Sequence, residues 1–251
     1  MRINTPDEIE RIRESARIVA RCLAMLAKEV RAGVSTMALD RRAEDFIRAE
    51  GGEPAFLGYR GYPASICASV NEEVVHGIPS EKRVLREGDI VSLDIGVKKA
   101  GFFGDASRTF PVGAVSDAAR RLLDTTERAL YAGIEQARPG GRVSDISAAI
   151  EREVKRDGFS VVRALVGHGV GRELHEEPQV PNYGRPGEGP RLRAGMVLAI
   201  EPMVNAGGAD VITLGDRWTV VTADRKWSAH FEHTVAIRED GPEILSRIEG
   251  A

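Results

Sequence analysis

The segment Leu85-Arg86-Glu87-Gly88 opens into an apolar run carrying Asp94, and Leu192-Arg193-Ala194-Gly195 opens into a second carrying Glu201. Each carboxylate stands six residues past its glycine (94 − 88 and 201 − 195), and the two copies are 107 residues apart (201 − 94). Two helix-like stretches precede each copy. Coincidence is the competing account of so short a match, but duplication is the economical one. The expectation is a single α+β domain over 1–251, with pseudo-symmetric halves near 1–112 and 113–251, in which helices cover a curved antiparallel sheet.

The helices are legible from their ends. Thr5-Pro6-Asp7-Glu8 reads as a capping box with proline in the first turn, and apolar residues then recur at helical spacing from Ile9 to Val30. Gly33 is expected to end that helix. A second runs from a Ser35 cap toward Gly51. Two more are expected near 117–136, entered through Ser116, and near 145–157, capped by Ser144 and stopped by Gly158. Period-two segments fill 58–112 and return after Gly158, interrupted by a Gly- and Pro-rich loop at 181–190.

The strands carry charge where burial is expected. In Ile90 to Val97 the residues Val91, Leu93, Ile95 and Val97 share one face, and Ser92, Asp94 and Gly96 share the other. Past a turn at 98–101, Phe103, Asp105, Ser107 and Thr109 form the matching row, so a hairpin would bring Asp94 and Asp105 to the same side. Met196 to Pro202 embeds Glu201 in apolar sequence, and a strand through 229–237 carries Glu232. Singly, each carboxylate reads as a strand-edge charge facing water. Four converging would repel one another and resist desolvation unless cations intervened.

Within 166–178 a glycine-rich stretch surrounds His168, and His175 follows seven residues later. A neutral His168 would add a nitrogen donor to an oxygen-rich metal site, whereas His175 is better placed to touch substrate; alone, either reads more readily as a hydrogen-bonded loop histidine. His175-Glu176-Glu177-Pro178-Gln179 is not H-E-x-x-H. There is no dinucleotide fingerprint, nucleophile elbow, Walker A sequence or C-x-x-C pair.

Net charge is −3, which gives no reason to expect nucleic acid or an anionic membrane as partner. Two cysteines, Cys22 and Cys67, make no disulfide framework and suit a reducing cytoplasm. The opening residues lack the apolar core of a signal peptide, and no run is long enough to span a membrane. The expectation is a cytoplasmic protein.

The ordered set Asp94, Asp105, His168, Glu201, Glu232, with Val75-His76-Gly77-Ile78-Pro79, Asn182-Tyr183-Gly184 and Phe231-Glu232-His233-Thr234 around it, resembles the methionine aminopeptidase family and its pita-bread fold. The similarity runs over essentially the whole chain. Lack of a zinc-binding extension and of a long helical insertion makes it similar to the short bacterial type I form. The resemblance implies that those five residues bind two divalent ions (Mn, Fe, Co or Zn), with Asp105 and Glu232 bridging. It implies that His76 and His175 contact substrate, and that Tyr59, Tyr62, Cys67 and Trp218 line the methionine pocket, with Phe56 and Leu174 at neighbouring, variable positions. His230 stands where glutamine is expected before Phe231-Glu232, and no role is assigned to it.

What the resemblance implies in function is removal of the first methionine from nascent polypeptides when the second residue is small. A water activated between the two ions would attack the scissile carbonyl. Glu201 would pass a proton from it to the leaving amine, His175 would stabilise the oxyanion, and His76 would hold the substrate backbone. The partner is the amino-terminal peptide of nascent chains, with the ribosome a candidate contact, and the protein is expected to be a monomer. Two rivals stand: an Xaa-Pro aminopeptidase or prolidase of the same fold, and a binding module that kept the fold without the chemistry.

Overall fold

The structure, a computed structural model, describes residues 1–247; the last four positions of the second expected half lie outside the described residues. In chain order the elements are α1 (Pro6–Ala27), α2 (Thr36–Ala49), β1 (Glu53–Pro54), a 3-10 turn at Tyr59–Gly61, β2 (Cys67–Val70), β3 (Glu73–Val75), β4 (Ile90–Lys99) and β5 (Phe102–Pro111). There follow α3 (Asp117–Ile134), α4 (Val143–Arg156), β6 (Ser160–Val161), β7 (Val166–Gly169), β8 (Glu176–Pro181), β9 (Val197–Ile200) and β10 (Met203–Asn205). The chain continues through β11 (Val211–Thr213), β12 (Val220–Thr222), β13 (Ser228–His230), β14 (His233–Arg238) and β15 (Gly241–Ile244). All strand pairs are antiparallel among the described residues. No helix there is long and apolar enough to cross a membrane.

The 107-residue echo extends through the backbone. Helices α2 and α4 begin and end 107 residues apart (143 − 36 and 156 − 49). The pairing Pro54↔Val97 returns as Val161↔Val204. The Gly33 amide donates to the Leu85 carbonyl at 2.9 Å, and the Gly140 amide donates to Leu192 at 2.9 Å. Gly88 and Gly195, which launch the two carboxylate strands, have φ of 90° and 89°, a left-handed turn that side chains disfavour. The register of the β4–β5 hairpin, with Gly96↔Asp105 and Leu93↔Arg108, is repeated by Met203↔His230 and Ile200↔His233.

The second copy departs from the first in two ways. Its long strand pair is interrupted at Glu201-Pro202 and Phe231-Glu232, so the single strand expected over 229–237 is two strands, β13 and β14. Pro202 has no amide to continue the ladder, and the Glu232 amide donates instead to Ser107 across the interface, at 2.9 Å. Where Ala100 and Gly101 turn the first hairpin, the second copy spends 18 extra residues (230 − 105 = 125, 125 − 107 = 18) on a connection that carries β11, β12 and Trp218. Strand β12 pairs with β3 of the first copy.

Each helix pair covers its own strands. Ile18, Val19, Cys22 and Leu26 of α1, with Leu39, Ala43 and Ile47 of α2, pack on Val91, Leu93, Ile95 and Val97. Leu122, Leu130, Ile146 and Ile150 of α3 and α4 pack on Leu198, Ile200 and Val235. The amino-terminal turns of α1 close the seam between copies through Ile9 and Ile12 against Phe102, Val170 and Val197.

Two helix ends differ from the sequence reading. Helix α1 has the capping box at Thr5 and Glu8 but stops at Ala27, six residues before Gly33 (33 − 27), where the Lys28 and Val30 amides close on Met25 and Leu26; the Gly33 amide is committed to Leu85. Helix α4 starts at Val143, one residue before the expected Ser144 cap. Asp145 accepts the Arg142 amide at 2.7 Å, while the Ser144 hydroxyl straps Glu188 of the 181–190 loop.

Candidate metal centre and its pocket

The hairpin delivers the first two carboxylates as the sequence predicts. Asp94 on β4 and Asp105 on β5 are diagonal neighbours on one face, through the registers Asp94↔Ser107 and Gly96↔Asp105. Gly96 is bare because a Cβ there would lie 2.5 Å from the ring of Phe56. Two threonines hold the copies face to face. The Thr109 hydroxyl accepts the His230 amide and donates to its carbonyl, both at 2.9 Å. The Thr234 hydroxyl does the same for Asp105, at 3.0 and 2.7 Å.

These clamps bring Glu201, Glu232 and His168 over Asp94 and Asp105. Ligating atoms of Asp105, His168 and Glu232 all lie within 4.8 Å of one another. Glu201 Oε1 is 3.4 Å from His168 Nε2. Asp105 is 4% exposed and Glu232 3%, and Oδ1 of Asp94, Oδ1 of Asp105 and Oε1 of Glu232 have no hydrogen-bond partner.

The electrostatics are those of a cation site. Burial raises Asp94 to about 7, with His230 opposing and Glu201 adding to the shift, and burial raises Glu201 to about 7 against the opposing effect of His168. Asp105 and Glu232 are pushed well above the usual carboxylate range, first by burial and then by neighbouring acids: Asp94 and Glu201 act on Asp105, and Asp105, Glu201 and Asp94 act on Glu232. Nδ1 of His168 lies 2.9 Å from the Gly169 carbonyl, which takes the ring proton there and leaves Nε2 as a bare lone pair. Lone pairs thus face lone pairs in a buried space. A divalent metal bound by oxygen and one imidazole satisfies them all, and the donor set fits it.

A cavity of about 170 Å³ opens onto this cluster. Every site residue named from the sequence lines it: Phe56, Tyr59, Tyr62, Cys67, His76, Asp94, Asp105, His168, Leu174, His175, Glu201, Trp218 and Glu232. Tyr62 and Trp218 meet edge to face at 5.1 Å, and Trp218 also faces His76 edge-on. His175 is sandwiched between Tyr59, whose hydroxyl is 2.9 Å from its Nδ1, and the ring of His168 at 4.2 Å. Burial, then the neighbouring His168 and Arg60, hold the His175 pKa well below the usual histidine range. Burial, then His230, lowers His76 to about 4. Both imidazoles are therefore neutral at pH 7, and the Tyr59 hydroxyl holds Nδ1 of His175, so that its Nε2 is the ring nitrogen left without that partner.

Two residues without an assigned role also belong here. Arg60 lines the mouth with its guanidinium over the Tyr59 ring; an exposed loop arginine gives no sequence signal. His230 reaches the underside of Glu201, with Nε2 3.4 Å from Oε2. Its signal was its position two residues before Glu232, at the repeat mate of Asp105.

Comparison with known proteins agrees with this geometry. A model of metallopeptidase family M24 matches residues 10–239. Methionine aminopeptidase 1 of Bacillus subtilis (strain 168) is 56% identical over 244 residues, covering 97% of this chain and 98% of that protein. The crystal structure of methionine aminopeptidase from Thermotoga maritima superposes with a TM-score of 0.98 at 45% identity, covering 99% of this chain and 100% of that one. A prolidase from Pyrococcus furiosus has a TM-score of 0.79 at 25% identity, and this chain covers only 66% of its length. The architecture is thus the pita-bread fold of a metal-dependent peptidase. The chain belongs to metallopeptidase family M24 and, within it, to the methionine aminopeptidases.

Proposed function

We propose that the protein removes the amino-terminal methionine from polypeptides whose second residue is small, with two divalent cations held by Asp94, Asp105, His168, Glu201 and Glu232. The observation that carries it is one continuous cavity, in which an aromatic, aliphatic and thiol-lined recess ends against unpartnered carboxylate oxygens. Its roughly 170 Å³ is below the ~300 Å³ at which small-molecule sites usually begin, so it suits a single side chain. Tyr59, Tyr62 and Trp218 offer a thioether the ring contacts it favours.

Bound in this cluster, the cations supply an acidified water and polarise the carbonyl to be attacked. Glu201 accepts the proton the water gives up and delivers it to the departing amine. Neutral His175, with Tyr59 on Nδ1, donates its Nε2–H to the carbonyl oxygen as that oxygen gains charge. Neutral His76 holds the substrate backbone at the pocket mouth. The metal is Mn, Fe, Co or Zn, since oxygen ligands with one imidazole accept each of them. The substrate is the free amino terminus of nascent chains leaving the ribosome, and the protein works as a cytoplasmic monomer.

The test is a metal-titrated assay on Met-Ala-Ser, on Met peptides differing at the second residue, and on Gly-Pro. Hydrolysis of Met-Ala-Ser that fades as the second side chain grows is expected. Preference for Gly-Pro would turn the reading to a prolidase. Metal binding without any hydrolysis would turn it to a binding module.

A further inference from the structure

We infer that His230 is a positioning residue for Glu201, gripping with its Nε2–H the carboxylate oxygen that faces away from His168. The inference rests on the proposed role of Glu201 and adds a residue to it. His230 occupies the repeat mate of Asp105, since Gly96↔Asp105 returns as Met203↔His230 (203 − 96 = 107). Its backbone is fixed on both polar atoms by the Thr109 hydroxyl, and the residue is 1% exposed, so the ring has no route to water.

Neither ring nitrogen of His230 makes a hydrogen bond within normal limits, yet a neutral imidazole carries one N–H that burial obliges it to use. The near acceptor is Glu201 Oε2, 3.4 Å from Nε2. On the opposite side, Glu201 Oε1 lies 3.4 Å from His168 Nε2, whose proton is committed on Nδ1 to Gly169. The two imidazoles therefore treat Glu201 differently. His168 presents a lone pair that can only share a cation with Oε1, whereas His230 presents a proton that engages Oε2. The carboxylate is thereby held against rotation, with Oε1 turned to the ligand side.

The test compares the full-length wild type with His230→Gln, which keeps an N–H donor, and His230→Leu, which fills the space without one. Cobalt(II) binding is followed by calorimetry, and turnover is followed on Met-Ala-Ser. Loss of a hydrogen-bonding partner behind a metal ligand costs roughly 10–100-fold in affinity or activity. His230→Leu should show that loss in kcat and in affinity for the weaker-bound cobalt with KM little changed, and His230→Gln should recover most of it. Proton NMR of the cobalt-loaded wild type should show one exchangeable imidazole N–H shifted by direct ligation, that of His168. Two such signals would make His230 a ligand and overturn the proposal, whether or not the leucine variant folds. Equal impairment of both variants, or none in either, would also overturn it. A wild type that binds no cobalt and cleaves no peptide would instead remove the reading of Glu201 beneath it.

Discussion

The hydroxyl of Thr234 both accepts the amide proton of Asp105, at 3.0 Å, and donates to the Asp105 carbonyl, at 2.7 Å. One side chain of the second copy thus fixes the backbone of a metal-site residue in the first. Thr234→Val keeps the shape and strands two buried backbone groups. At about 1–3 kcal/mol for each unsatisfied group, a loss of at least ~2 kcal/mol is expected in urea unfolding of the metal-free protein. Thr109→Val should do the same beneath His230. A valine variant as stable as wild type would show that these clamps contribute nothing net.

Glu201→Ala should abolish turnover while the fold survives, because the lost group is a buried carboxylate whose removal relieves repulsion. The metal-free variant should melt no lower than wild type. Near-normal turnover would remove Glu201 from proton transfer.

His175→Ala should lower kcat by about 10²–10³ with a smaller rise in KM, the pattern of a contact that strengthens as the oxyanion forms. Tyr59→Phe should give a milder loss in the same direction, since it frees the Nδ1 that the phenol now holds. A pure KM effect for His175→Ala would make it a ground-state binder.

The pH dependence has a definite sign once the histidines are set aside. His76 and His233, lowered to about 4 by burial, favour the fold increasingly as pH rises through the range where free imidazoles lose their protons. By about pH 7.5 imidazoles are almost wholly neutral in both states, and the raised carboxyls set the slope. Asp94 and Glu201, at about 7 when folded, bind more protons than in the unfolded chain. Their contribution is full below the ordinary carboxylate range and lost as pH rises through 7. Asp105 and Glu232, pushed well above the carboxylate range, carry the loss further, so the melting temperature of the metal-free protein should fall between about pH 7.5 and 8.5, and saturating manganese should remove the slope. Metal binding near pH 6 should release protons, measurable as buffer-dependent heats. A flat metal-free curve would contradict the burial of these acids.

Gly104→Ala tests the contact between helix and hairpin. A Cβ there would lie 2.4 Å from the backbone nitrogen of Ala16 in α1, an atom that cannot turn aside. Destabilisation of about 1–3 kcal/mol is expected in thermal or urea unfolding. A neutral result would mean α1 rides more loosely on β5 than the structure has it.

Much of this was legible before any coordinates. Period two fixed which faces of β4 and β5 carry Asp94 and Asp105, and the repeated Leu-Arg-x-Gly step fixed the turn ahead of Asp94 and Glu201. Helix ends were less legible. Gly33 looked like a stop signal for α1 but is reserved for a bond to Leu85, and Ser144 looked like a cap but ties down Glu188. Both depend on partners more than 40 residues away (85 − 33 and 188 − 144), which local pattern does not contain. The break at Pro202 was readable from proline chemistry; the matching break at Phe231-Glu232 was not, because the amide of Glu232 finds Ser107 only after the copies meet. His230 was visible as an oddity and became meaningful only as the twin of Asp105.

The 18 residues by which the second copy exceeds the first have no twin, and Trp218 and the strand that reaches β3 sit among them. What the molecule does to a peptide bond is written twice, in matched strands that constrain each other. What it admits beside that bond is written in part on material found once. Selection can therefore reshape the entrance by lengthening or recolouring that connection while the ion-holding frame stays in register.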